Sequence, residues 1–333
     1  MLTLHKEEKM DLSTTYLGLP LKNPVIVGSS GLTDSPEKIK EWEKNGAAAV
    51  VLKSLFEEEI IFEYEEVLKE VKNTGYNMEQ FDYYDFVLKK KKLDAYLALI
   101  KEAKKAVSIP VIASVNCVYS HEWTAFANKI QDAGADAIEL NMFFLPSDMT
   151  RTSQEMEERY LKVINALTAR VSIPVSVKIS YHFSSLGQMI KAISDTGVSG
   201  MVLFNRFFNP DIDIERQEIK PSFVFSAPSD IAMPLRWIAL MYQRVNCDLA
   251  ASTGVHDGDA VIKQILAGAR AVQVVSALYK NRTGTIPAML DRLTGWMGDK
   301  GYGALSDFRG KLSHVKADDP AVLERVQFMK YYA

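Results

Sequence analysis

Two cysteines, Cys117 and Cys247, are all that 333 residues contain. Two thiols build no disulfide framework, which points to a reducing compartment and so to the cytoplasm. The five histidines show no ligand spacing, and no metal is expected. No apolar run is long enough to span a bilayer, and the polar stretch before Met10 has no secretory core, so no membrane association is expected. Neither sign of charge dominates: the net charge of −3 offers nothing to nucleic acid. Gly/Ser and Pro-rich linkers are missing as well. Residues 1–10 are therefore expected to be an N-terminal tail and 11–333 a single domain, and a hydrophobic content of 47% suffices for a large core.

What is present is a repeated phrase: a glycine that ends a helix, one or two residues, then a short apolar run. It reads Gly46-Ala-Ala-Ala-Val-Val-Leu-Lys53, Gly134-Ala-Asp-Ala-Ile-Glu-Leu-Asn141, Gly197-Val-Ser-Gly-Met-Val-Leu-Phe-Asn205 and Gly268-Ala-Arg-Ala-Val-Gln-Val-Val-Ser276. A second phrase, Ser108-Ile-Pro-Val and Ser172-Ile-Pro-Val, opens further strands with proline. Glycine supplies the left-handed helix cap, and proline tolerates an unpaired first amide. The runs are continuous rather than alternating, as strands covered on both faces require. Eight such runs are predicted: 24–29, 48–54, 110–116, 137–142, 175–180, 201–205, 248–253 and 272–277. Helical periodicity between them (93–106, 122–133, 153–170, 186–196, 259–267) predicts an α/β fold, a (β/α)8 TIM barrel. Long loops follow strands two (56–91) and six (206–246).

Polar residues gather where the runs end: Ser29, Lys53, Asn116, Asn141, Lys178, Asn205, Thr253 and Ser276. That rim is where barrel enzymes place their chemistry. A lysine closing a buried strand needs an anion or acceptor, so Lys53 and Lys178 could hold an anionic ring, neutralise a phosphate or, in one case, form a Schiff base. Either could instead pair with a barrel carboxylate such as Glu139. Three rim asparagines could read the edge of a planar heterocycle. Thr253, Gly254 and Ser276 follow strands seven and eight, where barrels hold phosphate.

With these residues in view the chain resembles the class 1 dihydroorotate dehydrogenases, FMN-dependent barrel enzymes. The resemblance rests on Asn23-Pro-Val-Ile, Leu52-Lys-Ser54, Phe81-Asp-Tyr-Tyr84, Ile138-Glu-Leu-Asn141, Val177-Lys178, the stretch 258–278 and Lys300-Gly-Tyr-Gly-Ala-Leu-Ser-Asp-Phe-Arg-Gly-Lys-Leu312. Ala113-Ser-Val-Asn-Cys with Glu122-Trp-Thr also looks like the flavin domain of dihydropyrimidine dehydrogenase. The resemblance implies that Ser29, Lys53, Ser54, Asn116, Asn141, Lys178 and Asn205 contact FMN or a small-molecule substrate stacked on it. It further implies that Lys178 faces the pyrimidine edge of the ring, that Gly254 and Ser276 take the phosphate, and that the enzyme is a homodimer.

Departures from the family carry as much information. The family's strand-four loop, Asn-x-Ser-Cys-Pro-Asn, contains the base that removes the substrate proton; here it reads Asn141-Met-Phe-Phe-Leu-Pro-Ser-Asp148. The base falls on Phe144 or Leu145, and neither accepts a proton. Ser147 and Lys53 remain as candidate catalytic groups. Asn205 is followed by Arg206, where the family has a small hydroxyl residue, and the family's Gly-Leu-Pro-Asn turn becomes Gly75-Tyr-Asn-Met. Arg206 either enters the site to bind an anionic substrate or turns outward to Asp211 or Glu215. The expected function is an FMN-dependent oxidoreductase acting on a CH–CH or C=C bond. A Schiff-base lyase on Lys178 and an inactive flavin-binding protein are the alternatives.

Overall fold

The computed structural model describes residues 10–56, 78–116, 123–207, 209–222 and 224–325. Cys117, His121 and the turn Gly75-Tyr-Asn lie outside them. The strands are β1 (Thr14–Tyr16), β2 (Leu19–Leu21), β3 (Val25–Val27), β4 (Ala49–Val51), β5 (Leu55–Phe56), β6 (Val111–Asn116), β7 (Ala137–Asn141), β8 (Val175–Ile179), β9 (Gly200–Leu203), β10 (Asn209–Asp213), β11 (Glu218–Ser222), β12 (Asp248–Ser252) and β13 (Ala271–Val274). Every neighbouring pair in the large sheet is parallel, and β13 returns to β3, so the sheet closes. The β/α barrel expected from the eight apolar runs is the observed fold.

Side chains alternate across each strand. Val25, Val27, Val50, Ile138, Leu140, Val177 and Ile179 face the helices, in one continuous outer core. Ile26, Val51, Ile112, Ala137, Val202, Ala250 and Ala271 face inward and form a second cluster with Tyr16, Leu17 and Leu21 of the β1–β2 hairpin. This hairpin closes the N-terminal end of the barrel. Its turn residues Leu17 and Gly18 both have positive φ, 57° and 74°, the conformation a two-residue hairpin demands. Leu17 accepts it because its side chain is buried and its N–H donates to Asp248 Oδ2 at 2.9 Å. Gly200 makes room: a Cβ there would lie 2.4 Å from Leu17 Cδ2.

The two Ser-Ile-Pro-Val phrases are held alike. Glu43 Oε1, on helix Pro36–Lys44, accepts from Ser108 N (2.8 Å), Ser108 Oγ (2.7 Å) and Ile109 N (3.2 Å). Gln131 Oε1, on helix Trp123–Asp132, accepts from Ser172 N (2.7 Å), Ser172 Oγ (3.1 Å) and Ile173 N (3.2 Å).

Some expected boundaries are corrected. The second run breaks into β4 and β5, and the eighth stops at Val274, with Ser276–Asn281 helical. The helix expected over 93–106 begins at Met78 and takes in the backbone of the aromatic stretch 81–86. The loop after strand six holds the antiparallel β10–β11 hairpin and the helix Ala232–Met241. Among the described residues no helix is long and apolar enough to cross a membrane.

Candidate functional site

The barrel interior turns polar toward the C-terminal ends of its strands. On β8 the inward residues are Ser176 and then Lys178; on β7 they are Glu139 and Asn141; on β13 the inward residue is Gln273, and all are buried. Lys178 Nζ donates to Gln273 Oε1 at 2.8 Å, and Gln273 Nε2 donates to Glu139 Oε2. Glu139 Oε1 lies 3.9 Å from Lys178 Nζ. Burial lowers the Lys178 pKa, and the Glu139 charge opposes it; burial raises that of Glu139, against the pull of Lys178 and the Gln273 hydrogen bond.

A string of side chains joins five strand ends above this floor. Ser54 Oγ is 2.7 Å from Ser114 Oγ and 2.9 Å from Ser29 Oγ. Asn141 reaches Ser54 at 3.5 Å, and Asn205 is hydrogen-bonded to Asn141. Four of the candidates, Ser29, Ser54, Asn141 and Asn205, are thus one connected group.

Beside Lys178 opens a cavity of about 430 Å³, lined also by Ser29, Asn205, Arg206, Thr253, Gly254 and Ser276. Part of its lining is a tight turn. Thr253 and Gly254 have φ of 77° and 79°, and a Cβ on Gly254 would come within 2.1 Å of Ile231 N. Thr253 Oγ1 donates to the Phe204 carbonyl at 3.1 Å, so its hydroxyl is turned to the backbone. Ser276 Oγ accepts from Ser226 N–H at 3.0 Å. Ser226 Oγ in turn lies 3.0 Å from His256 Nε2, and Lys280 Nζ donates to the Ser226 carbonyl at 3.0 Å. Burial, and then Lys280, lower the His256 pKa.

The remaining candidates are placed differently. Lys53 is exposed, not buried as a strand-end lysine was expected to be, because β4 ends at Val51 and Lys53 falls in the break before β5. Asn116 ends β6, half-buried and outside the cavity lining. Ser147 is exposed on its loop and does not line the cavity. Arg206 does not turn outward to Asp211 or Glu215; it lines the cavity, held there by other partners. Its Nη1 lies 3.3 Å from Asp230 Oδ2 and its Nη2 donates to the Phe225 carbonyl at 3.3 Å. It stands between the large cavity and a smaller one of about 200 Å³ that also touches Tyr181, His182 and Phe207.

The strand-four loop packs its aromatic rings against neighbours of this smaller cavity, and Phe144 lines a separate cavity of about 420 Å³. Phe143 stacks on Phe207, with centroids 3.6 Å apart. Phe144 is buried edge-on against Tyr160 at 4.8 Å, and its N–H donates to the Tyr160 hydroxyl at 3.0 Å. Burial pushes the Tyr160 phenol up to about 12. Sequence reasoning missed Gln273, Ser114, Ser226 and Lys280 and saw Glu139 only as a partner for lysine. For the first two the signal was available: a polar residue inside an otherwise apolar parallel strand.

The chain matches the family model described as dihydroorotate dehydrogenase over residues 11–297. It is 27% identical to the catalytic subunit of dihydroorotate dehydrogenase B (NAD(+)) of Thermoplasma volcanium, over 90% of this chain and 98% of that one. It is 23% identical to the corresponding subunit of Bacillus cytotoxicus, over 88% and 94%. It is also 23% identical to the NAD-dependent dihydropyrimidine dehydrogenase subunit PreA of Escherichia coli, over 93% and 79%. With the closed parallel barrel and a polar cavity at its C-terminal rim, the match over most of its length makes this chain a member of the dihydroorotate dehydrogenase family of oxidoreductases.

Proposed function

We propose that the chain, through one domain spanning 11–333, is an FMN-dependent oxidoreductase acting on a CH–CH or C=C bond of a small anionic substrate with an apolar body, and that dihydroorotate is a poor substrate. The observation that carries the cofactor is the cavity itself, lined both by a buried lysine and by a glycine turn with no room for a Cβ. Its volume falls in the range of about 300–1,000 Å³ typical of ligand sites. The donor set fits: Lys178 suits an electron-rich ring edge, and Gly254 with Ser276 suits a phosphate. A single anion site favours FMN over FAD.

When bound, FMN would supply hydride transfer. Lys178 would hold the ring edge, Asn141 and Asn205 would orient the substrate, and the Phe143–Phe207 stack would keep water away. Phe144 and Leu145 cannot remove a proton, and the Tyr160 phenol stays protonated at neutral pH. General-base catalysis contributes about 10²–10⁴-fold. A carbon that is already acidic, or a double bond to be reduced, would not need it. A Schiff-base lyase is less well supported, since Lys178 is engaged by Gln273 and paired with Glu139.

The visible spectrum of the purified protein, before and after reconstitution with FMN, tests the cofactor; a colourless protein that takes up none would refute it. Bleaching of the flavin by candidate reductants, with dihydroorotate among them, tests the substrate. Turnover of dihydroorotate at an ordinary rate for the family would refute that part and send the search for a base back to Ser147. A cytoplasmic homodimer completes the reading, and light scattering tests the dimer.

A further inference from the structure

We propose that Glu139 is a positioning residue of the flavin site: bridged by Gln273, its carboxylate keeps Lys178 an ammonium turned to the cavity, so that two electrons entering the ring bring one proton rather than two. The inference rests on the FMN reading above. Its geometry does not.

Glu139, Gln273 and Lys178 come from β7, β13 and β8, and all three side chains are buried inside the barrel. The Gln273 amide turns its oxygen to the ammonium and its NH₂ to the carboxylate. Reversed, it would set donor against donor and acceptor against acceptor. Its dipole is thus aligned by the charges at both ends, and each charge stabilises the other across 3.9 Å. Other ionisable groups nearby are already accounted for. Tyr16, below Glu139, has its phenol pushed well up by burial and by the Glu139 charge, so it stays neutral. Asp248, next below, is bound by Arg270 Nε at 2.8 Å. At the rim, Arg206 is paired with Asp230 and Lys53 is exposed.

Hydride uptake adds two electrons and one proton to the ring and leaves it negatively charged above neutral pH. An ammonium at Lys178 meets that charge at once. A neutral amine would first have to take a second proton from solvent onto Nζ.

In Glu139→Gln the amine loses its counter-charge. In apo-protein carrying ¹³C-labelled lysine, with Lys178 assigned from Lys178→Arg, its NMR titration midpoint should fall by about one to three pH units, the effect of a close opposite charge. In FMN-loaded protein reduced by dithionite, the pH slope of the midpoint potential above neutral pH should double, from one proton per two electrons to two. An unchanged Lys178 midpoint overturns the proposal, and so does an unchanged slope in a variant that binds FMN. If the wild type takes up no FMN, the functional reading fails and the apo titration alone decides the role of Glu139. If Glu139→Gln does not fold, Gln273→Met serves in its place. It should lower the Lys178 midpoint in the same direction by less, and no change there overturns the bridge.

Discussion

The lower and upper halves of the barrel interior are built from the same alternating strand positions, yet they obey different rules. The lower half is Ile26, Val51, Ile112, Ala137, Val202, Ala250 and Ala271, plugged by Leu17. The upper half is Ser114, Glu139, Asn141, Lys178, Gln273 and Ser252, none of which would be placed in a core for stability alone. One step along β7, from Ala137 to Glu139, separates an apolar layer from a buried ion pair. Stability and chemistry are thus carried by different storeys of one sheet.

That division can be broken from either side. The largest effect is expected below: Leu17→Ala should cost about 2–5 kcal/mol, the usual range for a buried leucine. Chemical denaturation measures it, and FMN affinity of the folded fraction should stay unchanged; a parallel loss of FMN would mean the storeys are coupled. Next comes Lys178→Met, which removes a charge-assisted hydrogen bond worth about 1.5–3 kcal/mol. FMN affinity measured by fluorescence quenching should fall roughly 10–100-fold, with a lower reduction potential. Arg206→Ala should weaken a carboxylate ligand roughly tenfold at most, since Asp230 already engages the guanidinium. Unchanged affinity in a ligand titration would take Arg206 out of the site.

The smallest effect compares the two Ser-Ile-Pro-Val phrases at the foot of the barrel. Burial alone would raise the Glu43 pKa, but hydrogen bonds from Ser108 and Ile109 outweigh it and hold the carboxyl below its usual value of 4.5. A depressed carboxylate gives stability that is present above pH 4.5 and lost as pH falls through the folded value. Gln131 makes the same contacts and cannot titrate. Glu43→Gln should therefore cost less than about 1 kcal/mol at neutral pH and flatten the acid limb of the stability profile. Gln131→Glu should steepen it, and identical limbs in all three proteins would remove Glu43 from acid unfolding.

Most of the barrel was legible because every apolar run but 248–253 begins at or after a helix-ending glycine or a proline, and both leave a mark in one residue type. The β10–β11 hairpin was not. Prolines 210 and 221 stand inside its paired strands, where sequence rules expect none, and its turn uses Gln217 at φ 54° rather than glycine. Both lysines were expected to be buried at strand ends; Lys178 is and Lys53 is not, because the two end similar runs and only backbone pairing shows that one strand breaks early. Gln273 escaped notice because Ala-Val-Gln-Val scans as apolar. Its importance appears only when Glu139, 134 positions earlier, is brought beside it.

The string of polar side chains at the rim has a direction. The backbone N–H of Arg206 donates to Asn205 Oδ1 at 3.0 Å, which forces the Asn205 amide to give its NH₂ to Asn141 Oδ1. Asn141 must then donate to Ser54, and the Ser54 hydroxyl must pass its hydrogen on to Ser29 or Ser114. Every member is oriented by one peptide group, as a row of compass needles is by the first. The polarity of this rim is therefore written in the main chain. No replacement of the Arg206 side chain erases it, save proline, which alone removes the N–H that sets the row.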